Sequence, residues 1–226
     1  MPTRIALTEV PLDSLYATEP ALERGKLGLV LRKRLYEGYR VPITVCRSGT
    51  EFYVLDGHHR AYVSWLLDER HMDAYLIRFD EPFTYAPPIK MRLWELAAIS
   101  DEPFGDRVLD MWRFMAGVIT FYERKHNGAF RLRKDRVRVG DLIPTQKYLE
   151  RSKLSFVVDE PILCLETLSG KLYILDGHAR SYRKFLESED SLIDALVLYQ
   201  VAPATLGIET AVDQQSLRSL KDVVLV

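Results

Sequence analysis

The chain has 226 residues, of which 47% are hydrophobic, and its 31 basic and 32 acidic residues leave a formal net charge of −1. This length and apolar content allow one large or two small hydrophobic cores, which argues against a disordered chain. The evenly interspersed charges give no electrostatic footprint for strong binding to duplex nucleic acid. No apolar run approaches the roughly 20 residues that span a bilayer, and the opening residues lack the apolar core of a signal peptide. We therefore expect a cytoplasmic protein without a membrane segment, either a monomer or a homodimer.

The first predicted elements form a small α/β unit, which we assign to residues 1–84. Two strands are joined by a glycine-containing turn and are followed by a helix with its apolar residues on one face and by a third strand. In chain order these are a strand that begins at Pro42, the turn at Ser48-Gly49, a strand that ends at Asp56, a helix that carries Tyr62, Trp65 and Leu66, and a strand at 74–79.

A helical connector is predicted for residues 85–130. It opens with a proline-rich stretch at 85–90 and continues as a helix, with Asp106 as a candidate N-cap and Gly128 as a candidate C-terminal stop. Its apolar stripe at helical spacing consists of Val108, Met111, Trp112, Met115, Ile119 and Tyr122. Such stripes usually pack in a core, which we prefer to the alternative of a ligand pocket.

Residues 131–226 repeat the first unit. The segment FYVLDGHHRAYVSWLL at 52–67 aligns without a gap with LYILDGHARSYRKFLE at 172–187. The agreement continues on both sides of this segment. MDAYLI at 72–77 matches IDALVL at 193–198, and Pro42-Ile43 matches Pro161-Ile162. Further upstream, Leu12, Leu15, Thr18 and Glu19 have the same spacing as Val139, Leu142, Thr145 and Gln146. The second helix carries Tyr182, Phe185 and Leu186 on one face, and its third strand is expected at 195–200. We predict an α/β (α+β) protein of two tandem units, each a small mixed sheet with helices.

The two cysteines give no sign of cross-linking or metal binding. Cys46 and Cys164 lie far apart, and neither belongs to a Cys-x-x-Cys pair or a histidine cluster. We expect reduced thiols that are half-buried in strands.

The repeated motif, Asp56-Gly57-His58-His59-Arg60 in the first copy, is the strongest candidate site. A buried strand ends at Asp56, the chain turns at Gly57 and a helix begins, so free backbone N–H groups and the positive end of the helix dipole converge there. Gly57 would let a phosphate approach the backbone, and Arg60 could grip its oxygens. His58 and His59 would add donors that titrate near neutral pH. The motif therefore predicts a phosphate site.

Ordinary capping chemistry is the alternative for this motif, with Asp56 as a helix N-cap, Arg60 in a salt bridge and the histidines at the surface. The second copy keeps the corresponding Asp176, Gly177, His178 and Arg180. Because capping alone does not call for an arginine at this place, the repetition favours phosphate binding.

The order of Pro42-Ile43, a hairpin, a strand, a glycine with a basic pair and a helix resembles the ParB/sulfiredoxin superfamily. Members of that superfamily bind nucleotide phosphates at this turn: ParB binds CTP at Gly-Glu-Arg-Arg, and sulfiredoxin binds ATP at Gly-Cys-His-Arg. Here His58 stands in place of the sulfiredoxin cysteine, which excludes its reduction chemistry. His58 and His59 also replace the Glu-Arg of ParB, which weakens the implication of CTP.

Residues 8–80 are more closely similar to archaeal free-serine kinases of the SerK type. Their turn reads Val-Asp-Gly-His-His-Arg and differs from Leu55 to Arg60 only at the first position. Their lead-in ends in a catalytic glutamate, and Leu12, Leu15 and Glu19 stand at the same spacing. The resemblance implies Mg²⁺-dependent phosphoryl transfer from ATP or ADP to a small hydroxylated metabolite, with free L-serine as the model.

Under this interpretation Glu19 is the base, Asp56 a Mg²⁺ or water ligand, and residues 57–60 the phosphate clamp. The alternative for Glu19 is a solvated loop carboxylate or a first-turn helix residue. In the second copy Gln146 replaces Glu19 and Ala179 replaces His59. That degenerate site could bind phosphate, but we expect no turnover from it.

The competing hypothesis is a ParB-like nucleotide-binding protein that associates with DNA or regulates, without metabolite kinase activity. Residues 90–127 carry many acidic side chains, which disfavours a helix that reads the major groove. The basic stretch RLRKDRVR at 131–138 keeps this hypothesis open, although a solvated strand or linker is its more ordinary interpretation. Besides a nucleotide and a small-molecule substrate, nucleic acid is therefore a disfavoured but open partner.

Overall fold

A computed structural model describes residues 2–79, 85–155 and 158–226. The chain forms two compact units, one ending at Gly128 and the other beginning at Ala129. The strands are β1 (Pro2–Pro11), β2 (Leu15–Tyr16), β3 (Ala21–Glu23), β4 (Ile43–Ser48), β5 (Glu51–Asp56), β6 (His71–Phe79), β7 (Ala97–Ile99), β8 (Phe130–Arg138), β9 (Leu142–Ile143), β10 (Tyr148–Leu149), β11 (Ile162–Glu166), β12 (Leu172–Asp176), β13 (Leu192–Gln200) and β14 (Val224–Leu225). The helices are α1 (Arg24–Glu37), α2 (His58–Leu66), α3 (Arg107–Lys125), α4 (His178–Glu187) and α5 (Gly207–Gln214), with short 3₁₀ helices at Leu12–Ser14, Leu93–Glu95, Val139–Asp141, Arg151–Ser155 and Leu220–Asp222.

Each unit contains a five-stranded mixed sheet, and the two sheets have the same topology. The strand order is β1-β6-β4-β5-β2 in the first unit and β8-β13-β11-β12-β9 in the second. The central hairpin is antiparallel in both, and its first strand also pairs in parallel with the third predicted strand. The hairpin ladder is irregular beside the last strand residue, Asp56 or Asp176. The predicted α/β class and the presence of two similar units are confirmed.

The repeat continues past the third strand of each unit. In the first unit the 3₁₀ helix at Leu93–Glu95 leads into β7, which pairs in parallel with β3. In the second unit the 3₁₀ helix at Leu220–Asp222 leads into β14, which pairs in parallel with β10. Residue 84, where we expected the first unit to end, lies outside the described residues. The described part of the expected connector up to Gly128 belongs to the first compact unit.

Helices α1 and α3 have no α-helical counterpart among the described residues of the second unit, where the short 3₁₀ helix Arg151–Ser155 stands at the place of α1, and they pack against each other. Gly28 of α1 allows this close approach, because a Cβ there would lie 2.7 Å from the carbonyl carbon and oxygen of Trp112. Helix α3 begins at the predicted N-cap, Asp106, whose side chain accepts two backbone N–H groups of the first turn. It buries Trp112, Met115 and Ile119, so the prediction that the stripe is core is confirmed for these three residues, whereas Val108, Met111 and Tyr122 are only partly buried.

Both predicted motif helices are present, as α2 and α4. Helix α2 buries Tyr62, Trp65 and Leu66, as expected. In α4, Tyr182 and Phe185 pack against the second core, but Leu186 is 61% exposed. The predicted apolar face is therefore wrong at Leu186, because this helix is covered along a narrower stripe than α2.

The two cysteines lie in β4 and β11 and are free thiols. Both are fully buried, so the expectation of half-buried thiols is wrong. Burial raises the pKa of Cys46 to about 11 and raises that of Cys164 above its usual range. Both side chains are therefore core residues rather than nucleophiles. Among the described residues, no helix is long and apolar enough to cross a membrane.

Candidate active site at the start of helix α2

The turn before α2 requires glycine for reasons internal to the fold. Gly57 has φ 95° and ψ 29°, and a Cβ there would lie 2.6 Å from Cγ2 of Ile43. Gly177 has the same φ, and its Cβ would lie 2.4 Å from Cγ2 of Ile162. Both the left-handed backbone and the close approach exclude a side chain. The shared glycine thus follows from the turn geometry and is not by itself a sign of a ligand.

The first turn of α2 leaves backbone donors available. Ala61 donates its N–H to the carbonyl of Gly57 at 2.9 Å, which is the first bond of the helix. The N–H groups of His58, His59 and Arg60 have no hydrogen-bond acceptor among the described residues. These donors and the positive end of the helix dipole can together hold an anionic oxygen.

Arg60 is tied into the fold on both sides of the turn. Its Nη1 donates to the carbonyl of Pro42 at 2.8 Å, and its Nη2 donates to Oδ2 of Asp56 at 2.7 Å. Arg180 of the second unit makes the equivalent bonds to the carbonyl of Pro161 and to Asp176. The arginine therefore holds the turn against the start of the hairpin, which supplies a structural reason for its presence in both copies.

His58 is an acceptor within the fold. It is 3% exposed, and its Nε2 accepts the backbone N–H of Thr18 at 3.1 Å. The Thr18 hydroxyl donates to the carbonyl of Val54 at 2.6 Å, so its proton is already committed. Burial lowers the pKa of His58, while Glu19 and Asp56 oppose that shift. A neutral ring that accepts at Nε2 carries its proton on Nδ1.

His59 is also held by a backbone donor. Its Nε2 accepts the N–H of Glu23 at 3.1 Å, directly before α1 begins. Burial lowers the pKa of His59, with a further contribution from Lys26 and an opposing one from Glu23. In the second unit Ala179 stands at this place, and no α-helix equivalent to α1 is described there. His59 therefore connects the candidate turn to an element that is specific to the first unit.

Glu19 lies beside the turn, as its spacing predicted. Its Oε1 is 3.6 Å from Nδ1 of His58, which is too long for a hydrogen bond but within range of charge attraction. The Glu19 side chain is 56% exposed, so a ligand can reach it. Gln146 in the second unit is also exposed but carries no charge. The first unit thus brings the Glu19 carboxylate within 3.6 Å of His58, the first residue of α2.

Asp56 is the candidate metal ligand. Its side chain is 74% exposed, and Oδ2 accepts from Arg60, while Oδ1 has no hydrogen-bond partner among the described residues. No cluster of three or more His, Cys, Asp or Glu side chains suited to a metal occurs in the described part of the chain. Asp56 therefore fits Mg²⁺ only in the usual one-carboxylate manner, in which phosphate oxygens and water complete the coordination.

Sequence reasoning did not identify the backbone donors that bind His58 and His59. Thr18 and Thr145 make the same two bonds in their respective units, with the N–H to His178 at 3.1 Å and the hydroxyl to the carbonyl of Ile174 at 2.7 Å in the second. The recurrence of a threonine directly before Glu19 and Gln146 was the available signal. The bond from Glu23 left no such signal, because it uses only the backbone.

Comparisons with known proteins leave the reaction open. No family model matches the chain. An uncharacterized protein of Methanocaldococcus jannaschii is 35% identical over 104 residues, which cover 42% of this chain and 39% of that protein. The chain thus matches well under half of the length of this relative. The crystal structure of sulfiredoxin from Arabidopsis thaliana aligns with a TM-score of 0.30 and 18% identity, over 33% of this chain and 86% of that chain.

Proposed function

We propose that the first unit is a nucleotide-dependent phosphotransferase that acts on a hydroxyl group of a small metabolite, with free L-serine as the first candidate from the SerK resemblance. The supporting observation is that the Glu19 side chain lies close to the first residue of α2. Its carboxylate lies 3.6 Å from Nδ1 of His58, whose backbone N–H, like those of His59 and Arg60, has no acceptor among the described residues. The second unit keeps the turn but has Gln146 in place of the carboxylate.

In this proposal the terminal phosphate of ATP or ADP binds to the backbone N–H groups of residues 58–60. The acceptor oxygen attacks the terminal phosphorus, its proton passes to Glu19, and the nucleotide leaves one phosphate shorter. Mg²⁺, with Asp56 as its protein ligand, would neutralise the charge of the polyphosphate. These roles need a carboxylate that a ligand can reach beside the start of α2, and Glu19 is 56% exposed and lies 3.6 Å from Nδ1 of His58.

The histidines and Arg60 contribute mainly by shaping the site. Each histidine uses Nε2 to accept a backbone N–H, from Thr18 or from Glu23, so that nitrogen cannot donate to phosphate. Two donors of Arg60 are already directed to Pro42 and Asp56. Phosphate recognition is therefore assigned chiefly to the backbone, and the remaining N–H groups of Arg60 can add to it.

The proposal predicts that Glu19→Gln converts the first site to the state of the second. Loss of the carboxylate should slow phosphoryl transfer by roughly 100-fold or more, which is the usual contribution of a positioned general base. Nucleotide affinity should change little, because Glu19 is not placed on the phosphate. The measurement is phosphorylated product formed from L-serine and other small alcohols with ATP or ADP and Mg²⁺. Gln146→Ala is the matched control and should retain the wild-type rate.

Nucleotide binding is measured in parallel by thermal shift with ATP, ADP, CTP and pyrophosphate. A ligand at 100 times its dissociation constant adds about 2.7 kcal/mol to the free energy of unfolding, so binding is readily detected. Equal rates for wild type, Glu19→Gln and Gln146→Ala would refute the assignment of the base. Absence of product with every donor would refute the phosphotransferase.

A nucleotide-binding regulatory protein is the second candidate. Its support is that the second unit keeps Gly177 at the same φ, the arginine bonds and the buried histidine, although it lacks a carboxylate at the place of Glu19. Nucleotide stabilisation without product formation from any donor would favour this function.

A further inference from the structure

We infer that Lys90, Met91 and Arg92 form a clamp on Tyr16 that positions Glu19, an inference that rests on the proposed phosphotransfer. We call these residues with Tyr16 the Tyr16 clamp. Lys90 to Arg92 lie in the segment expected to connect the two copies, and no role follows for them from the motif.

The backbone part of the clamp joins two segments that are distant in sequence. Ala17 donates its N–H to the carbonyl of Met91 at 2.8 Å, and Met91 donates its N–H to the carbonyl of Ala17 at 3.1 Å. This isolated bridge fixes the chain directly after β2 and two residues before Glu19. It gives the lead-in a second attachment besides the pairing of β2 with β5.

The side-chain part of the clamp acts on the ring of Tyr16. The guanidinium carbon of Arg92 lies 4.1 Å from the ring centroid and Nζ of Lys90 lies 4.4 Å from it, both well within cation–π range. Lys90 is held in turn by both carboxylate oxygens of Glu51 at 2.7 Å. Tyr53 stacks on Tyr16 with the ring centroids 5.9 Å apart.

Glu19 lies between fixed points on both sides. Tyr16 and Ala17 are held by the clamp, and Thr18 is bonded to His58 and to the carbonyl of Val54. Pro20 follows and restricts the backbone of Glu19 to extended conformations. An exposed carboxylate that must meet a reacting hydroxyl gains from such restriction, because a displacement of about 1 Å can cost about 100-fold in rate.

In the part of the second unit that the structure describes, the clamp has no equivalent. β9 ends at Ile143 where β2 ends at Tyr16, and Pro144 follows with no N–H to form the bridge. Ser219 and Arg92 are the N-caps of equivalent 3₁₀ helices, so Leu217 and Ser219 stand where the first unit has Lys90 and Arg92.

The threonine–histidine bond, by contrast, is present in both units. The clamp therefore accompanies Glu19 rather than the phosphate turn, which is the pattern expected of a device that positions the base.

The test compares Arg92→Met with Arg133→Met. Both variants keep an apolar stem and remove a guanidinium stacked on a tyrosine, since Arg133 lies 5.1 Å from the ring centroid of Tyr199 in the second unit. We expect Arg92→Met to lower kcat about tenfold or more, with the donor KM changed less than about twofold. Arg133→Met should leave both constants unchanged. Lys90→Met is a second variant, expected to act in the same direction through its partly exposed side chain.

Two further measurements separate positioning from general stability. In a Glu19→Gln background, Arg92→Met should slow the residual reaction by less than about twofold, because the clamp acts through the carboxylate; a full tenfold loss there would overturn the inference. Amide hydrogen exchange at Ala17, Thr18 and Glu19 should accelerate in Arg92→Met and not in Arg133→Met, and this readout needs no activity. Unchanged exchange would overturn the clamp, whereas faster exchange in a protein that forms no product would refute only the phosphotransferase.

Discussion

His58 and His178 are buried side chains that the fold uses as neutral acceptors. Each takes the backbone N–H of a threonine at 3.1 Å, and each lies at the first position of the motif helix. Burial lowers the pKa of both rings, and that of His178 falls from 6.5 to about 4. A ring protonated on both nitrogens could not accept the threonine N–H. Protonation of His58 or His178 should therefore lower the stability of the unit that contains it.

Acid should therefore begin to destabilise the protein below pH 6.5, well above the pH at which most carboxylates titrate. In the unfolded chain these histidines protonate near pH 6.5, whereas burial keeps them neutral to lower pH in the folded protein. The stability that they contribute is therefore fully present above pH 6.5 and is lost as the pH falls toward 4. For His178 the loss should be on the order of 3 kcal/mol. Urea unfolding at about pH 7.5 and about pH 4.5 measures it. His178→Gln should flatten the dependence, and His71→Gln, at an exposed position, should not. Identical pH profiles for wild type and His178→Gln would contradict the assignment.

At the scale of elements, the contact between α1 and α3 depends on the absence of a side chain at Gly28. Alanine would favour the helix by about 1 kcal/mol, but its Cβ would lie 2.7 Å from the carbonyl of Trp112, which is backbone and cannot rotate away. We expect Gly28→Ala to lower the free energy of unfolding of the first unit by about 1–3 kcal/mol, the usual cost of overpacking. Gly207→Ala is the control, because a Cβ there meets nothing within 4 Å at the start of α5. Urea unfolding decides between them, and equal stability of Gly28→Ala and wild type would show that the helices separate freely.

Helix α1 also illustrates where the sequence alone was insufficient. Gly25 and Gly28 lower its intrinsic helix propensity, and the helix is stabilised by packing against α3, which is distant in the chain.

Strand β1 was not predicted for a related reason. Ile5 and Leu7 on its outer face are 65% and 61% exposed, so the strand shows no alternation of buried and exposed residues. Its conformation comes from pairing with β6. The motif hairpin and helix, the strand that follows them and α3 with its N-cap at Asp106 could be placed in advance, because their signals are local.

The candidate site also has features that the sequence predicted and features that it could not predict. The turn at Gly57 followed from a short motif that is repeated in the chain, whereas the place of Glu19 was implied by the spacing of a family resemblance. The bonds from Thr18 and Glu23 to the histidines and from Arg60 to Pro42 use backbone groups, which have no residue-type signature. A sequence pattern could therefore indicate an anion site. It could not tell the groups that would bind the anion from the side chains that hold the turn in place.

At the scale of the whole molecule, the charge distribution within the second unit bears on nucleic acid. The basic stretch at 131–138 is the edge strand β8 rather than a free linker. Three of its arginines already pair with carboxylates: Arg133 with Asp135 and Glu166, Arg136 with Asp194, and Arg138 with Asp141 and Asp190. Phosphate contacts by these arginines would compete with acids that lie on the same surface.

We therefore expect only weak, non-specific DNA binding, with a dissociation constant above about 10 μM near 150 mM salt and a shallow salt dependence, because few counterions are released. Fluorescence anisotropy with a labelled duplex of about 30 base pairs at low and physiological salt measures both quantities. Converting Asp141 and Asp190 together to asparagine frees Arg138 and should steepen the salt slope by about one if that arginine then meets a phosphate. Submicromolar, sequence-selective binding by the wild type would instead show that these ion pairs open on DNA, and it would favour the regulatory protein over the phosphotransferase.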